Sequence, residues 1–222
     1  MKIRLTNAWD VIPTEAIRIQ KKLQAKVCLE NKFSRIRLVA GCDIAIDAEK
    51  KLGYGGVIVY SYPDFNEIER KGTVADLRFP YIPGLLSFRE APVLLSAMSL
   101  LETEPDLFIF DGHGIAHPRG LGIASHMGLI LNKPTLGCAK SLLCGTYNEP
   151  KAMMGSISPL EYKGSLVGNV LRTRNKVSPV FVSAGHKIDL PTATKILFES
   201  CDGYRIPKPT READRFVGQL KP

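Results

Sequence analysis

The order in which strand and helix patterns follow one another constrains this fold more than any other feature. Three β-type runs come first, at residues 38–46, 55–60 and 66–74. The links between them are short and polar, which favours an antiparallel meander. Helical and strand patterns then alternate through the rest of the chain, as is typical of α/β proteins. The sequence therefore predicts a mixed sheet with helices on its faces.

The elements after the meander are predicted from helical periodicity and from turn residues. Ser87-Phe88-Arg89-Glu90 has the S-x-x-E form of a capping box and precedes an apolar stripe, so we expect a helix to begin there. A continuous apolar run over 107–110 predicts a strand covered on both faces. The remaining predictions are helices from Pro13, over 121–131, over about 191–201 and from 210 onward, a short strand at 134–138, and a hairpin of 164–171 with 179–183.

The composition allows a nucleic-acid partner without requiring one. The 222 residues include 30 Lys and Arg against 22 Asp and Glu, so the net charge is +8. This excess suits a polyanionic partner, but a basic surface that merely keeps the protein soluble accounts for it as well. The length fits a single domain over residues 1–222, and because no long heptad pattern is present we expect a monomer.

Two features bear on the cellular compartment. The sequence has no run of eighteen apolar residues, and residues 1–10 lack the apolar core of a secretory signal. These patterns predict a cytoplasmic protein without a membrane partner. The five cysteines form no C-x-x-C pair, which argues against a disulfide framework and against a cysteine zinc site.

Two aspartates interrupt or end apolar strand patterns. Asp43 lies inside the run 38–46, where an ionised carboxylate is costly unless a cation compensates it. Asp111 ends the run 107–110 and is followed by Gly112-His113-Gly114. If the two strands are neighbours, the carboxylates converge at a strand end, where oxygen ligands suit magnesium or manganese better than zinc. The structural alternatives are a hydrogen-bonded core aspartate at 43 and a turn cap at 111.

Three further positions have both a functional and a structural interpretation. Glu90 either completes the capping box or belongs to an acidic site. Lys140, which follows a short apolar strand, is either a contact to a phosphate or leaving group or a solvated surface lysine. In Pro80-Tyr81-Ile82-Pro83-Gly84 the prolines hold an aromatic and an aliphatic residue in an extended segment. That segment is either a wedge between base steps or an ordinary loop with Tyr81 packed inward.

The histidine pattern argues against a zinc site. His113 and His117 have H-x-x-x-H spacing, but Gly114 and Pro118 disfavour the continuous helix that would place both rings on one face. The sequence also lacks the G-x-S-x-G, dinucleotide-binding and P-loop spacings. We therefore expect neither zinc chemistry nor a nucleophilic serine.

Several of these stretches together resemble endonuclease V, a family of inosine-directed nucleases with a ribonuclease H-like fold. The matching segments span most of residues 38–217 and are Gly41-Cys42-Asp43, Phe79-Pro80-Tyr81-Ile82-Pro83-Gly84-Leu85-Leu86-Ser87-Phe88-Arg89-Glu90, Asp111-Gly112-His113-Gly114-Ile115-Ala116-His117-Pro118-Arg119, Ala139-Lys140-Ser141-Leu142, Val182-Ser183-Ala184-Gly185-His186-Lys187-Ile188, and Pro209-Thr210-Arg211 with Ala213-Asp214. The resemblance implies a ribonuclease H-like α/β fold, a mixed β-sheet flanked by helices on both faces. Residues 1–35 carry little of the match and are interpreted only as a packing helix.

The resemblance also implies roles for single residues. Asp43 and Asp111 look like the central metal ligands, and Glu90 and Asp214 look like the outer carboxylates of the catalytic site. Lys140 looks like the residue near the cleaved phosphate. The implied substrate-binding residues are the wedge Pro80, Tyr81 and Ile82, the nucleic-acid contact His117, and the pocket walls near Gly84, Leu86, Gly112 and Ile123.

The activity that the resemblance implies is metal-dependent cleavage of nucleic acid beside a deaminated adenine. Mg²⁺ is the implied cofactor, with Mn²⁺ as a substitute, and the implied partner is DNA containing deoxyinosine or RNA containing inosine. Cleavage at the second phosphodiester bond 3′ of the inosine leaves a 3′-hydroxyl and a 5′-phosphate. Two alternatives stay open: a non-catalytic nucleic-acid-binding domain with a structural acidic cluster, and another ribonuclease H-like nuclease with a different substrate geometry.

Overall fold

The structure is a computed structural model that describes residues 7–221, which form eight strands and five helices. The strands are β1 Leu38–Asp47, β2 Leu52–Ser61, β3 Glu67–Asp76, β4 Leu107–Asp111, β5 Thr135–Ala139, β6 Ile157–Tyr162, β7 Ser165–Leu171 and β8 Val180–His186. The helices are α1 Pro13–Gln24, α2 Leu86–Ser99, α3 Ile123–Leu131, α4 Leu190–Glu199 and α5 Lys208–Leu220. The pattern used above to argue against a secretory signal falls partly on residues 1–6, which lie outside the described residues.

The strands join in one mixed sheet with the order β3-β2-β1-β4-β5-β8-β7-β6. Its centre is parallel, because β1 pairs with β4 and β4 pairs with β5 in the same direction. β1, β2 and β3 form the antiparallel meander that their short links predict. The mixed sheet expected from the order of the sequence patterns is therefore confirmed.

Helices cover both faces of the sheet, because side chains along each central strand alternate between two apolar layers. Val39 and Ile109 pack in the layer that contains Leu197 of α4, and Phe216 of α5 packs against the same layer. Ala40 and Phe108 pack in the opposite layer, with α2 and α3. The fold class implied by the resemblance, a ribonuclease H-like mixed sheet flanked by helices on both faces, is confirmed.

The capping box expected at Ser87 is wrong. α2 begins one residue earlier, at Leu86, and its N-cap Leu85 makes no side-chain capping bond. Ser87 lies inside the first turn, and its hydroxyl hydrogen-bonds Nδ1 of the buried His126 at 2.9 Å. The hydroxyl of Ser87 does not cap the helix because it hydrogen-bonds His126, which lies 39 residues away in the sequence. The local sequence pattern does not reveal this partner. Glu90 is therefore not held at the helix start by a capping box.

The edge strand β6 was not predicted from the sequence. It pairs with β7 across a tight turn at Lys163-Gly164 and forms one edge of the sheet. Its burial alternates as expected of a strand, but Pro159 interrupts the β-type run. Proline is tolerated there because an edge strand needs no second row of hydrogen bonds.

Within residues 7–221, no helix combines the length and the apolar character needed to cross a membrane.

Candidate active site

β1 and β4 bring Asp43 and Asp111 side by side. Their parallel register pairs Cys42 with Phe110, so the two residues that follow are neighbours on adjacent strands, which are about 4.8 Å apart. Cys42 and Phe110 pack in the layer with α2 and α3, so the alternating aspartates point to the other face. Both carboxylates therefore lie together where the parallel strands end, on the face that α5 covers.

α5 brings a third carboxylate to this place because it packs very closely on β1. A β-carbon built at Gly41 would lie 2.1 Å from the carbonyl carbon of Pro209, so only glycine allows this approach. Asp214, further along α5, is exposed. Its negative charge nevertheless contributes to raising the pKa of Asp43. Asp214 thus stands at the solvent side of the cluster.

Glu90 of α2, a helix on the opposite face of the sheet, lies close enough to the two aspartates for their charges to act on it. Burial raises the pKa of the Glu90 carboxyl to about 8, and the charges of Asp43 and Asp111 add to the shift. Burial likewise raises the pKa of Asp43 to about 7, with the charge of Asp111 as the next cause. Like charges that share a poorly hydrated space cannot all ionise without cost. Near pH 7 the cluster therefore holds protons that a cation could displace.

Lys140 supplies the positive charge of this cluster. It follows β5 directly, and its Nζ lies 2.5 Å from Oδ2 of Asp111. Partial burial lowers the pKa of the Lys140 ammonium, but the hydrogen bond to Asp111 and the charges of Asp43 and Asp214 outweigh it and raise the pKa. Lys140 is thus an exposed lysine that forms an ion pair with Asp111.

The donor set suits magnesium or manganese. Among residues 7–221, no group of three or more His, Cys, Asp or Glu side chains forms a ready metal cage. Magnesium does not need one, since it keeps several waters and binds through one or two carboxylates and the phosphates of a substrate. Asp43 and Asp111 offer such a pair of hard oxygen ligands, and burial together with the charge of Asp111 raises the pKa of Asp43 despite the nearby Lys140 ammonium.

A cavity of about 320 Å³ opens beside the carboxylates, and Asp111 and Lys140 form part of its wall. Every implied substrate-binding residue except Pro80 lines it: Tyr81, Ile82, Gly84, Leu86, Gly112, His117 and Ile123. Pro80 is exposed on the approach to the cavity. The cavity therefore connects Asp111 and Lys140 with a largely apolar recess.

Two helix N-termini meet at the recess. α2 begins at Leu86 and α3 at Ile123, and both residues line the cavity. The first N–H groups of a helix have no partner within the helix, and the helix dipole makes this end positive. The recess therefore presents hydrogen-bond donors to an acceptor such as a carbonyl oxygen.

Tyr81 stands at the rim of the cavity and not in the core. Its side chain is 67% exposed although it also lines the cavity. The alternative in which Tyr81 packs inward is therefore wrong. The ring is therefore accessible to a molecule that enters the recess.

The Gly84 carbonyl accepts three hydrogen bonds that no sequence pattern announced. His117 Nε2 lies 2.9 Å from it, Arg119 donates at 2.6 Å, and Gln20 Nε2 donates at 2.9 Å. His117 is buried, and its Nδ1 accepts from the Arg119 backbone N–H. Both ring nitrogens of His117 therefore form hydrogen bonds to the backbone, at Gly84 and at Arg119. Gln20 was missed because α1 was interpreted only as a packing helix; the available signal was a polar residue on its apolar face.

The other histidines occupy separate places. Burial lowers the pKa of His113, which lines the cavity, to about 4. Its Nε2 is buried and has no hydrogen-bond partner within residues 7–221. His126 lies between Ser87 and Asn7, and burial lowers its pKa to about 3. His186 accepts from the backbone N–H of Cys28.

Several known proteins have a similar sequence or fold. The family model described as Endonuclease V matches residues 21–215. A protein named endonuclease V from Dehalococcoides mccartyi is 50% identical over 220 residues, which cover 99% of each chain.

Two solved structures extend the comparison. Endonuclease V from Streptomyces avermitilis superposes with a TM-score of 0.91 at 36% identity, covering 99% of this chain and 97% of that one. Endonuclease V from Ciona intestinalis, solved with DNA containing an inosine followed by a ribo-adenosine, gives a TM-score of 0.85 at 29% identity over 93% and 95% of the two chains. With the family model and the relative that matches almost its whole length, these likenesses establish that the chain belongs to the endonuclease V family and is a nuclease.

Proposed function

We propose that this nuclease recognises inosine in DNA and cuts the second phosphodiester bond on its 3′ side, leaving a 3′-hydroxyl and a 5′-phosphate. The observation that carries the proposal is the shared wall of the site. Asp111 and Lys140 border the same cavity that Tyr81 and the two helix N-termini form. A base held in the recess thus lies within a short stretch of backbone of the carboxylates. Such an activity belongs to the repair of deaminated adenine.

The recess suits hypoxanthine better than adenine. Hypoxanthine has a carbonyl oxygen at position 6, whereas adenine has an amine there. The N–H groups at the starts of α2 and α3, near Leu86 and Ile123, are donors that match the carbonyl and oppose the amine. A base that pairs weakly in the duplex also costs least to extrude.

The acidic end of the site provides the chemistry of phosphodiester hydrolysis. Asp43 and Asp111 would hold a divalent cation, Mg²⁺ or Mn²⁺, and Glu90 and Asp214 lie close enough to add to its field. When bound, the cation supplies Lewis-acid polarisation of the phosphate and lowers the pKa of the attacking water. Lys140, held by Asp111, places an ammonium group beside the phosphate to stabilise the charge that develops in the transition state.

Tyr81→Ala is expected to weaken binding of inosine-containing duplex by about tenfold, since stacking on one aromatic ring contributes roughly 1–3 kcal/mol. The free energy of unfolding should change by no more than about 0.5 kcal/mol, because the ring is exposed. Binding titrations paired with thermal melts measure both. Tyr81→Phe keeps the ring and should bind normally, and Ile68→Ala, an equally exposed apolar residue of β3, is the matched control. If the Tyr81→Ala protein binds the duplex as tightly as the wild type does, Tyr81 does not act as a wedge.

Binding should fall steeply with salt. The net charge is +8, and each phosphate neutralised by Lys or Arg releases counterions. We expect the affinity for an inosine-containing duplex to drop at least about tenfold between 50 and 200 mM salt, as for a protein that contacts several phosphates. Fluorescence anisotropy across a salt series gives the slope. A flat dependence would mean that phosphates contribute little.

One experiment tests the proposed function directly. Labelled duplexes that differ only in one base, inosine or adenine, are incubated with the protein and Mg²⁺ side by side. We expect a single nick two bonds 3′ of the inosine and far slower cutting of the adenine duplex. Equal cutting of both duplexes would favour a ribonuclease H-like nuclease of another geometry, and tight binding without cutting would favour a binding domain.

A further inference from the structure

Gln20 is a buried amide in a helix that otherwise packs through apolar side chains. It is 1% exposed, and it shares the inner face of α1 with Ala16 and Leu23. Burying an amide is costly unless its hydrogen bonds are satisfied, and a leucine or methionine would serve packing alone. Gln20 also lines the cavity. Packing alone therefore does not explain the buried Gln20 amide, and its role depends on the hydrogen bonds that it donates and accepts.

Both ends of the Gln20 amide form hydrogen bonds, and two of its three partners, Gly84 and Leu121, line the cavity. Nε2 donates to the carbonyl of Gly84 at 2.9 Å and to the carbonyl of Leu121 at 3.2 Å. Oε1 accepts from Nε of Arg119 at 2.5 Å. The amide thus joins the end of the segment 80–84 to the segment 117–121 that leads into α3.

The Gly84 carbonyl is the common point of this network. Gln20, Arg119 and His117 all meet it, although a carbonyl oxygen has only two lone pairs. Gly84 has a positive φ of 79°, so the chain turns sharply there between Tyr81 at the rim and the start of α2. Fixing this carbonyl fixes the angle between the wedge and the N–H donors of the α2 terminus.

We propose that Gln20 is a positioning residue for base recognition. It clamps the Gly84 and Leu121 carbonyls so that the wedge segment 80–84 and the two helix N-termini keep one geometry before a base binds. The base then enters a preformed recess, and the binding energy is not spent on ordering the wall. The inference rests on the proposed function, because inosine is the occupant whose binding it would favour.

The test compares Gln20→Met with Gln24→Met. Methionine has nearly the same length and shape as glutamine but neither donates nor accepts these hydrogen bonds. Gln24 lies one turn further on the same helix and is exposed, so its variant controls for the change of residue. Gln20→Glu keeps an acceptor for Arg119 but presents a second acceptor to the two carbonyls, and it serves as an independent variant if Gln20→Met does not fold.

Two readouts separate positioning from stability. The first is the ratio of kcat/KM for an inosine duplex to that for the adenine duplex, measured per folded molecule below the melting range. We expect this ratio to fall about tenfold in Gln20→Met through a higher KM with kcat nearly unchanged, and to stay constant in Gln24→Met. The second is amide hydrogen exchange, which should accelerate over residues 81–87 and little elsewhere.

The coupling to Arg119 sharpens the test. If both side chains act through the Gly84 carbonyl, the effects of Gln20→Met and Arg119→Met on the ratio should not add in the double variant. A Gln20→Met protein with an unchanged ratio and unchanged exchange overturns the proposal, as does faster exchange with an unchanged ratio. If wild-type protein shows no preference for inosine, the proposed function fails, whereas exchange over 81–87 still decides whether Gln20 clamps the wall.

Discussion

Asp43→Asn is expected to lower the rate of inosine-directed cleavage by about a thousandfold or more and, at the same time, to raise the melting temperature of the metal-free protein. A thousandfold loss corresponds to about 4 kcal/mol of transition-state stabilisation. Asparagine offers one neutral oxygen where the pair with Asp111 needs two anionic ligands. The hold on the cation, and with it the polarisation of the phosphate, is therefore lost.

The gain in stability of the metal-free protein follows from the electrostatics of the carboxylates. Burial and the charge of Asp111 raise the pKa of Asp43 to about 7, so the ionised form is disfavoured in the folded state. A neutral amide of the same shape removes this repulsion at pH 8. The site thus trades stability for function, as preorganised active sites commonly do.

Single-turnover cleavage and thermal melts in the absence of divalent cations measure both effects. Asp76→Asn, an exposed aspartate at the end of β3, is the matched control and should change neither. A cleaving Asp43→Asn protein removes this residue from the catalytic group. An inactive variant with a lowered melting temperature would point to a structural role in the core.

Removal of divalent cations is expected to abolish cleavage, and rebinding of Mg²⁺ should release protons. The carboxyl groups of Asp43 and Glu90 have pKa values raised to about 7 and about 8, chiefly by burial. At pH 7 both are partly protonated, and a cation must displace those protons to use the site. Chelator-treated protein should be inactive, and Mg²⁺ or Mn²⁺ should restore cleavage. Zinc-free protein should remain fully active with magnesium.

The raised pKa values also set the pH dependence of the metal-free fold. A carboxyl whose pKa is higher in the folded state stabilises the fold below its unfolded pKa, and this contribution is lost as the pH rises through the folded value. For Asp43 and Glu90 the loss extends from about pH 4 to about pH 8. The buried histidines oppose it only at lower pH, because their pKa values of about 3 to 4 make them stabilise the fold as the pH rises toward 6.5.

Between pH 7 and 8, therefore, the metal-free protein should become less stable, and Mg²⁺ should reverse the trend. Denaturant unfolding at several pH values, and a Mg²⁺ titration in weak buffer with a pH electrode, measure the two consequences. In the double variant Asp43→Asn with Glu90→Gln, the free energy of unfolding should not fall between pH 7 and 8, and Mg²⁺ should release no protons. A wild-type protein whose cation binding releases no protons at pH 7 would contradict the expectation that Asp43 and Glu90 are partly protonated in the metal-free protein.

Two of the proposed site residues, Asp43 and Asp111, carry a local signal in the sequence, whereas the roles of Glu90 and Asp214 were implied only by the family resemblance. Asp43 stands out inside an apolar run, and Asp111 stands out at the end of another. The prolines around Tyr81 restrict that segment whatever surrounds it. The meander of β1 to β3 was predictable for the same reason, since links of a few residues leave few ways to connect the strands.

The tertiary structure decided which of these residues meet. The parallel register that pairs Cys42 with Phe110 makes neighbours of Asp43 and Asp111, and the close approach of Pro209 to Gly41 brings α5 to them. Ser87 and Gln20 show most clearly which contacts a local sequence pattern cannot reveal. Their hydrogen-bond partners lie 39 residues away for Ser87 and 64 and 101 residues away for Gln20.

The amino-acid sequence by itself thus determined most of the strand and helix segments, though not β6, together with the basic charge and the identity of the acidic residues, because periodicity and residue type act over a few positions. The mutual geometry of carboxylates, wedge and helix N-termini was decided by long-range packing. Burial in that packing raised the pKa values of the Asp43 and Glu90 carboxyl groups. The same packing paired Ser87, the expected helix cap, with His126. It also made Gln20 of α1 part of the cavity wall.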